Sequence, residues 1–95
     1  MATGQGTAIL NFGNAGSNEA SVLVSDTNIF ATSKAEAYVM GDDTTTDHTA
    51  NDHRYFNLFA TLTCGTPSQQ IGFTIYANST QKLTGTFQVR YVWAD

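Results

Sequence analysis

The stretch Leu83-Thr84-Gly85-Thr86-Phe87-Gln88-Val89-Arg90-Tyr91-Val92-Trp93 decides the fold class, because apolar side chains recur in it at alternate positions. One parity carries Leu83, Phe87, Val89, Tyr91 and Trp93, and the other carries mostly hydroxyl, amide and guanidinium groups. Successive side chains of an extended chain point to opposite faces, so the pattern predicts a half-buried β-strand. Residues 72–77 have the same character, and the polar residues 78–82 between the two runs predict a turn that pairs them as a hairpin.

Further runs toward the N-terminus also predict strands, at residues 7–12, 19–25, 35–40 and 55–64. Residues 19–25 should pair with 7–12, and residues 29–34 are either a short strand or a loop that buries Phe30. The clearest central strand is 55–64, whose inward parity carries Phe56, Leu58, Ala60, Leu62 and Cys64.

Turn residues separate these runs about every eight to twelve positions, which is the spacing of a sandwich or a small barrel. We therefore predict an all-β fold, a compact antiparallel sandwich or jelly-roll-like domain of six to eight short strands. The 95 residues should form a single β domain, with residues 1–6 as a flexible N-terminal arm.

Composition restricts the partners that this chain is suited to bind. Charged residues make up only 13% of the chain and the formal net charge is −4, with a pI near 4.7. The four basic residues are scattered, whereas a phosphate-binding face needs several converging cations, so we expect neither nucleic-acid nor membrane binding. A surface that is rich in hydroxyls and amides but poor in charge is suited to packing against protein neighbours.

The polar segment 41–54 contains both histidines and is the main candidate for chemistry. His48, His53, Asp47 and Asp52 are weak candidates for metal ligands, because the five-residue spacing matches neither a helical pair nor a strand face. The alternative is structural: the aspartates would hydrogen-bond backbone amides, and the histidines would pack, or bind across a subunit interface. A buried histidine at such an interface would make the contact pH-sensitive.

Four aromatic residues lie on the parities opposite the presumed core: Tyr38, Tyr55, Phe59 and Tyr76. They predict a subunit interface, since aromatic residues are enriched there. The alternatives are that they are buried in the core or beneath a loop, and that they form a platform on which a sugar ring stacks.

No catalytic motif is present, so we expect no enzyme activity and no cofactor. Cys64 is the only cysteine, which excludes an intramolecular disulfide. Its place on the apolar parity of a predicted core strand favours a buried structural thiol over a nucleophile.

Four parts of the chain carry a family resemblance: Ala35-Glu36-Ala37 with Val39-Met40, Thr46-Asp47-His48-Thr49 with Asp52-His53, Gly72-Phe73-Thr74-Ile75-Tyr76-Ala77, and the stretch from Leu83 to Trp93. Together they resemble small virion proteins of tailed bacteriophages that decorate or cement the capsid. The resemblance covers roughly residues 21–93, although no single segment is specific to the family.

The resemblance implies a β subunit that is made in the host cytoplasm and binds the outer capsid surface of the virion. It implies a symmetric homo-oligomer, a trimer rather than a dimer, that clamps adjacent copies of the major capsid protein without an active site. His48, His53 and the four aromatic residues would then belong to interfaces. The alternative is a tail or fibre module that recognises a carbohydrate or another receptor through Tyr38, Tyr55 or Tyr76 and residues 42–53.

Overall fold

The computed structural model describes residues 3–94, in which two three-stranded antiparallel sheets pack face to face around one core. In chain order the elements are β1 (Thr3–Asn11), β2 (Ser17–Ser25), β3 (Lys34–Tyr38), α1 (Ala50–Phe59), β4 (Ala60–Cys64), β5 (Gly72–Leu83) and β6 (Thr86–Ala94). The sheet orders are β1-β6-β3 and β2-β5-β4. The predicted antiparallel all-β sandwich is confirmed, with six strands in the described part of the chain rather than the eight of a jelly roll.

Strand pairing differs from the prediction, because strands that are neighbours in sequence lie in opposite sheets, with the exception of β4 and β5, which pair with each other. β1 pairs with β6 and β2 with β5, so the predicted pairing of residues 7–12 with 19–25 is wrong, as is the predicted final hairpin. Two of the connections that cross between the sheets, β1–β2 and β5–β6, meet at one end of the sandwich. There Gly85 donates its N–H to the Gly13 carbonyl at 3.1 Å, and Phe12 donates to the Gly85 carbonyl at 2.8 Å.

The polar residues 78–82 belong to β5 and do not form a turn. Ser17 pairs with Leu83 and Glu19 with Asn78, so four residues of β5 lie opposite the single residue Asn18 of β2. The turn-like composition is therefore accommodated as a wide irregularity in an otherwise continuous strand.

Residues 55–64 form the end of a helix and a short strand, so the predicted central strand is wrong over 55–59. Thr49 caps α1: its hydroxyl accepts the Asp52 N–H at 3.3 Å, and the Asp52 carboxylate accepts the Thr49 N–H at 3.0 Å. The helix buries His53 and Phe56 and ends where Ala60 becomes extended. Leu58, which the strand parity placed in the core, is 73% exposed.

The parity predicted for β6 is confirmed, since Phe87, Val89 and Trp93 are all buried. Opposite two of the largest inward side chains of β6, the inner face of β1 carries glycine: Gly4 pairs with Trp93 and Gly6 pairs with Tyr91. A Cβ on Gly4 would overlap the Trp93 indole. The glycines are therefore required where the large rings lie across the neighbouring strand.

This packing places most of the predicted N-terminal arm inside the sheet. Thr3 to Gly6 are hydrogen-bonded in register along β6, so they are part of β1 rather than an arm. Residues 1 and 2 lie outside the described residues.

Residues 29–33 are a loop, in which Ile29 is buried and Phe30 is 41% exposed, so the predicted burial of Phe30 is wrong. The single helix found between residues 3 and 94 is neither long nor apolar enough to cross a bilayer.

Candidate functional site

The segment that carries both histidines packs against the start of β6 through an aromatic cluster. The Phe87 ring is stacked against His48 (centroids 4.0 Å apart) and also against Phe56 (4.4 Å). Phe12 contacts Phe56 and Phe87 edge-on, at 5.8 and 5.9 Å. These contacts fix α1 and the preceding loop to the end of the sandwich.

His53 is fully buried, and both of its ring nitrogens are used. Nε2 accepts the backbone N–H of Gln88 at 2.9 Å, so this nitrogen carries no proton. Nδ1 lies 2.9 Å from the Thr49 carbonyl, to which it donates. The ring is therefore the neutral Nδ1–H tautomer, with no nitrogen left for a metal and no surface left for a partner subunit.

His48 lies nearer the surface and binds the turn that precedes β6. Its Nε2 is 2.7 Å from the Thr84 carbonyl and its Nδ1 is 3.2 Å from the Asp52 carboxylate. The pKa of Asp52 is lowered, first by the Thr49 backbone N–H and then by the His48 side chain. His48 thus links the helix cap to the β5–β6 connection.

Asp47 binds the first residue of β6. Its carboxylate accepts the Thr86 hydroxyl at 2.5 Å and the Thr86 backbone N–H at 3.0 Å, and Thr45 adds a third donor at 3.0 Å. These donors, those of Thr86 foremost, lower the pKa of Asp47 to about 2.

Asp43 forms a second anchor farther along β6. Asp43 is 3% exposed. It accepts hydrogen bonds from Arg90 Nη2 at 2.8 Å and from the side-chain amide of Gln88, Nε2, at 3.0 Å. The Arg90 guanidinium is the main cause that lowers the pKa of Asp43. Nothing in the local sequence indicates this pair, because Asp43 and Arg90 are 47 positions apart.

Together these side chains take the place of a neighbouring strand beside the start of β6. β3 ends at Tyr38, opposite Arg90, and leaves the start of β6 without a neighbouring strand on that side. The backbone N–H groups of Gln88 and Thr86 instead donate to His53 Nε2 and Asp47 Oδ2. The polar loop therefore satisfies the backbone N–H groups at this edge of the sheet. This role favours a structural function of the aspartates and histidines over a metal site.

The structure does not bring the four candidate metal ligands together. His48 contacts Asp52, whereas His53 is in the core and Asp47 is bound to Thr86. Across residues 3–94, no group of three or more His, Cys, Asp and Glu side chains is placed to hold a metal ion.

Cys64 is half-buried on β4, and burial raises the pKa of its thiol, with the charge of Glu36 as a smaller cause. A raised pKa disfavours the thiolate that a nucleophile requires.

The four aromatic candidates do not form one surface. Tyr38 lies on the outer face of the β1-β6-β3 sheet and is 40% exposed, and Tyr76 lies on the outer face of the other sheet and is 46% exposed. Tyr55 is 62% exposed on α1, and Phe59, the last residue of α1, is half-buried.

Two exposed regions stand out as candidate binding surfaces. The first is the helix patch, Tyr55 and Leu58, which are 62% and 73% exposed and one turn apart on α1. The second is a concave region of about 400 Å³ beside Tyr76, lined also by Glu19, Ser21 and Asn78. Strand parity placed Leu58 in the core, so its exposure could not be predicted from the sequence. Two of the neighbours of Tyr76, Glu19 and Ser21, come from β2, and their place beside it is not apparent from the sequence of β5.

Comparison of the chain with protein-family models, with curated proteins and with solved structures found no match.

Proposed function

We propose that this chain is a non-enzymatic virion structural protein that decorates or cements the capsid of a tailed bacteriophage. The assignment to a virion rests on the resemblance of residues 21–93 to that family. In this proposal the chain binds the outer surface of the shell and clamps adjacent copies of the major capsid protein.

The observation that carries the proposal is the contrast between the internal use of the polar groups and the exposure of large apolar ones. Asp43, Asp47, His48 and His53 are all engaged in bonds that hold the fold together. In the described part of the chain, nine large hydrophobic side chains are 37% to 73% exposed. Where two of these side chains are neighbours, as Tyr55 and Leu58 are on α1, the exposed apolar area favours contact with protein neighbours over chemistry on a small substrate.

The helix patch is our choice for the surface that contacts the shell. Leu58 is the most exposed of the nine large hydrophobic side chains, and Tyr55 lies beside it with its ring accessible. Both project from a helix that the aromatic cluster fixes in place, so little order would be lost on binding.

The mechanism is mass action. A protein that binds only the assembled shell stabilises that shell in proportion to its occupancy, and no covalent step is needed. Homo-oligomerisation, as a trimer, would multiply the contacts that each decorating unit makes and so raise its avidity.

The first test is the copy number of this chain in purified virus particles, measured by quantitative mass spectrometry against the major shell protein. A copy number in simple ratio to the shell protein supports decoration. A handful of copies per particle would favour a tail or fibre position, and the absence of the chain from particles would refute both.

The second test is binding to purified shells, measured by co-sedimentation. Leu58→Asp should abolish binding, because it places a charge at the centre of the helix patch, while circular dichroism of the variant stays unchanged. The matched control is Thr80→Asp, which adds the same charge at an exposed position of β5 and should bind normally. Equal binding by the two variants would exclude the helix patch as the contact.

A further inference from the structure

We infer that the concave region beside Tyr76 is a carbohydrate-binding groove. The inference does not depend on the capsid role, because it rests on the outer face of the β2-β5-β4 sheet and not on α1. We call this region the Tyr76 groove and define it by Glu19, Ser21, Tyr76 and Asn78.

Strand register builds the floor of the Tyr76 groove. Ser21 pairs with Tyr76 and Glu19 pairs with Asn78, so the four side chains share one face of the sheet in two adjacent rows. On the other side of β5, Thr63 pairs with Tyr76 and Thr61 with Asn78, which extends both rows with hydroxyl groups. The face thus presents one aromatic ring among hydroxyl, amide and carboxylate groups.

The irregularity of β5 forms one end of the groove. Beyond the pair of Glu19 and Asn78, four residues of β5 lie opposite one residue of β2, and Ser17 lines the concave region at this end. The resulting volume of about 400 Å³ falls within the range of small-ligand sites.

The Tyr76 ring is held in position on its other side. A Cβ built on Gly65 would lie 3.3 Å from Cε2 of Tyr76, so one edge of the ring lies close to Gly65. The residue is nevertheless 46% exposed. A ring that is supported by the protein and open to solvent can receive the apolar C–H face of a sugar at little entropic cost.

The polar groups of the groove are available to a ligand. Between residues 3 and 94, no hydrogen bond or ion pair engages the side chains of Glu19, Tyr76 or Asn78. A carboxylate accepts, an amide both accepts and donates, and hydroxyl groups do both, which matches the alternating donors and acceptors of adjacent sugar hydroxyls. The contrast with Asp43 and Asp47, which are fully engaged, distinguishes this surface from the polar loop.

The charge of the groove indicates which sugars it would take. Glu19 is the only charged side chain among the groove residues, so the site is suited to neutral sugars and would repel sialic or uronic acids. We therefore expect a neutral mono- or disaccharide to be the ligand class.

The test is a titration of the ¹⁵N-labelled chain with glucose, galactose, N-acetylglucosamine, maltose, lactose and chitobiose, followed by two-dimensional NMR. At least one of these sugars should give saturable shifts at Ser21, Tyr76 and Asn78, with a dissociation constant on the order of 1 mM, as for a shallow site. Sialic acid should give none.

The variants separate stacking from other effects. Tyr76→Ala should weaken binding about tenfold or more, whereas Tyr76→Phe, which keeps the ring, should bind within about threefold of the natural chain. Tyr38→Ala is the matched control, since Tyr38 is similarly exposed on the opposite sheet, and it should bind normally. The inference is overturned if no sugar gives saturable shifts, if the shifts map to another surface, or if Tyr38→Ala weakens binding as much as Tyr76→Ala.

Discussion

Replacement of His53 by leucine should destabilise the chain by about 1.5–4.5 kcal/mol, although the two side chains are similar in size. The larger contribution is the Gln88 N–H, which loses its acceptor at 2.9 Å and has no strand beside it to supply another. A donor left unsatisfied in this way costs about 1–3 kcal/mol. The smaller contribution is the bond from Nδ1 to the Thr49 carbonyl, worth about 0.5–1.5 kcal/mol net.

This loss is a large part of the stability that a chain of 95 residues possesses, which is roughly 5–14 kcal/mol. The assay is equilibrium unfolding in urea, with the denaturant slope required to stay constant so that the midpoint reports stability alone. Two further variants separate the acceptor from the volume of the ring. His53→Gln places an amide oxygen near the position of Nε2 and should recover about half of the loss, whereas His53→Asn is too short to reach Gln88 and should recover none.

Equal stabilities for His53→Gln and His53→Asn, or a loss below about 0.5 kcal/mol for His53→Leu, would refute the assignment of His53 as the acceptor of the Gln88 N–H. An independent readout is the tautomer, measured by long-range ¹H–¹⁵N correlation. The bonding pattern requires the proton on Nδ1, so a proton found on Nε2 would contradict it directly.

Two other predictions concern the contacts at the start of β6. Because the pKa of Asp47 is lowered from 3.8 to about 2, its carboxylate stabilises the fold fully above pH 3.8 and loses this contribution as the pH falls through about 2. The urea midpoints of the natural chain and of Asp47→Asn should therefore converge as the pH is lowered from 5 to 2; a constant gap would exclude Asp47 as the titrating group. Gly85→Ala should lower the stability measured by thermal unfolding more than Gly13→Ala does. Both glycines have a positive φ near 80°, but only at Gly85 would a Cβ meet another group, the Asp47 carboxylate. Equal losses would show that Asp47 moves aside freely.

The face that each strand buries could be predicted from the sequence, because it depends on a local property. The inward parity of β6 and the inward Val24 of β2 were assigned correctly from alternation alone. The helix was missed although one local signal for it exists, the capping-box pattern formed by Thr49 and Asp52. Residues 55–59 also continue the alternation of β4, and a helix this short, with only His53 and Phe56 buried, has a weak period of its own.

Strand partners could not be predicted in this way. Alternation states that a strand has an inner face, but β1 and β2 satisfy the same pattern whether they share a sheet or lie in opposite ones. The choice depends on side chains that are distant in sequence, such as Trp93 opposite Gly4 and Phe87 between His48 and Phe56.

For the candidate sites, too, the sequence shows the residue types but not which residues contact each other. The residue types of the polar loop were apparent from the sequence, but their roles depend on where β3 ends, because the unpaired N–H groups of Gln88 and Thr86 are what bind His53 and Asp47. The Tyr76 groove likewise exists only through the register of β2 on β5. Alternation of apolar and polar residues is a local property of the sequence, and it determines that this is a β protein whose strands have a defined inner face. Which side chains contact each other depends on residues that are distant in sequence, and these meet only when the two sheets pack together.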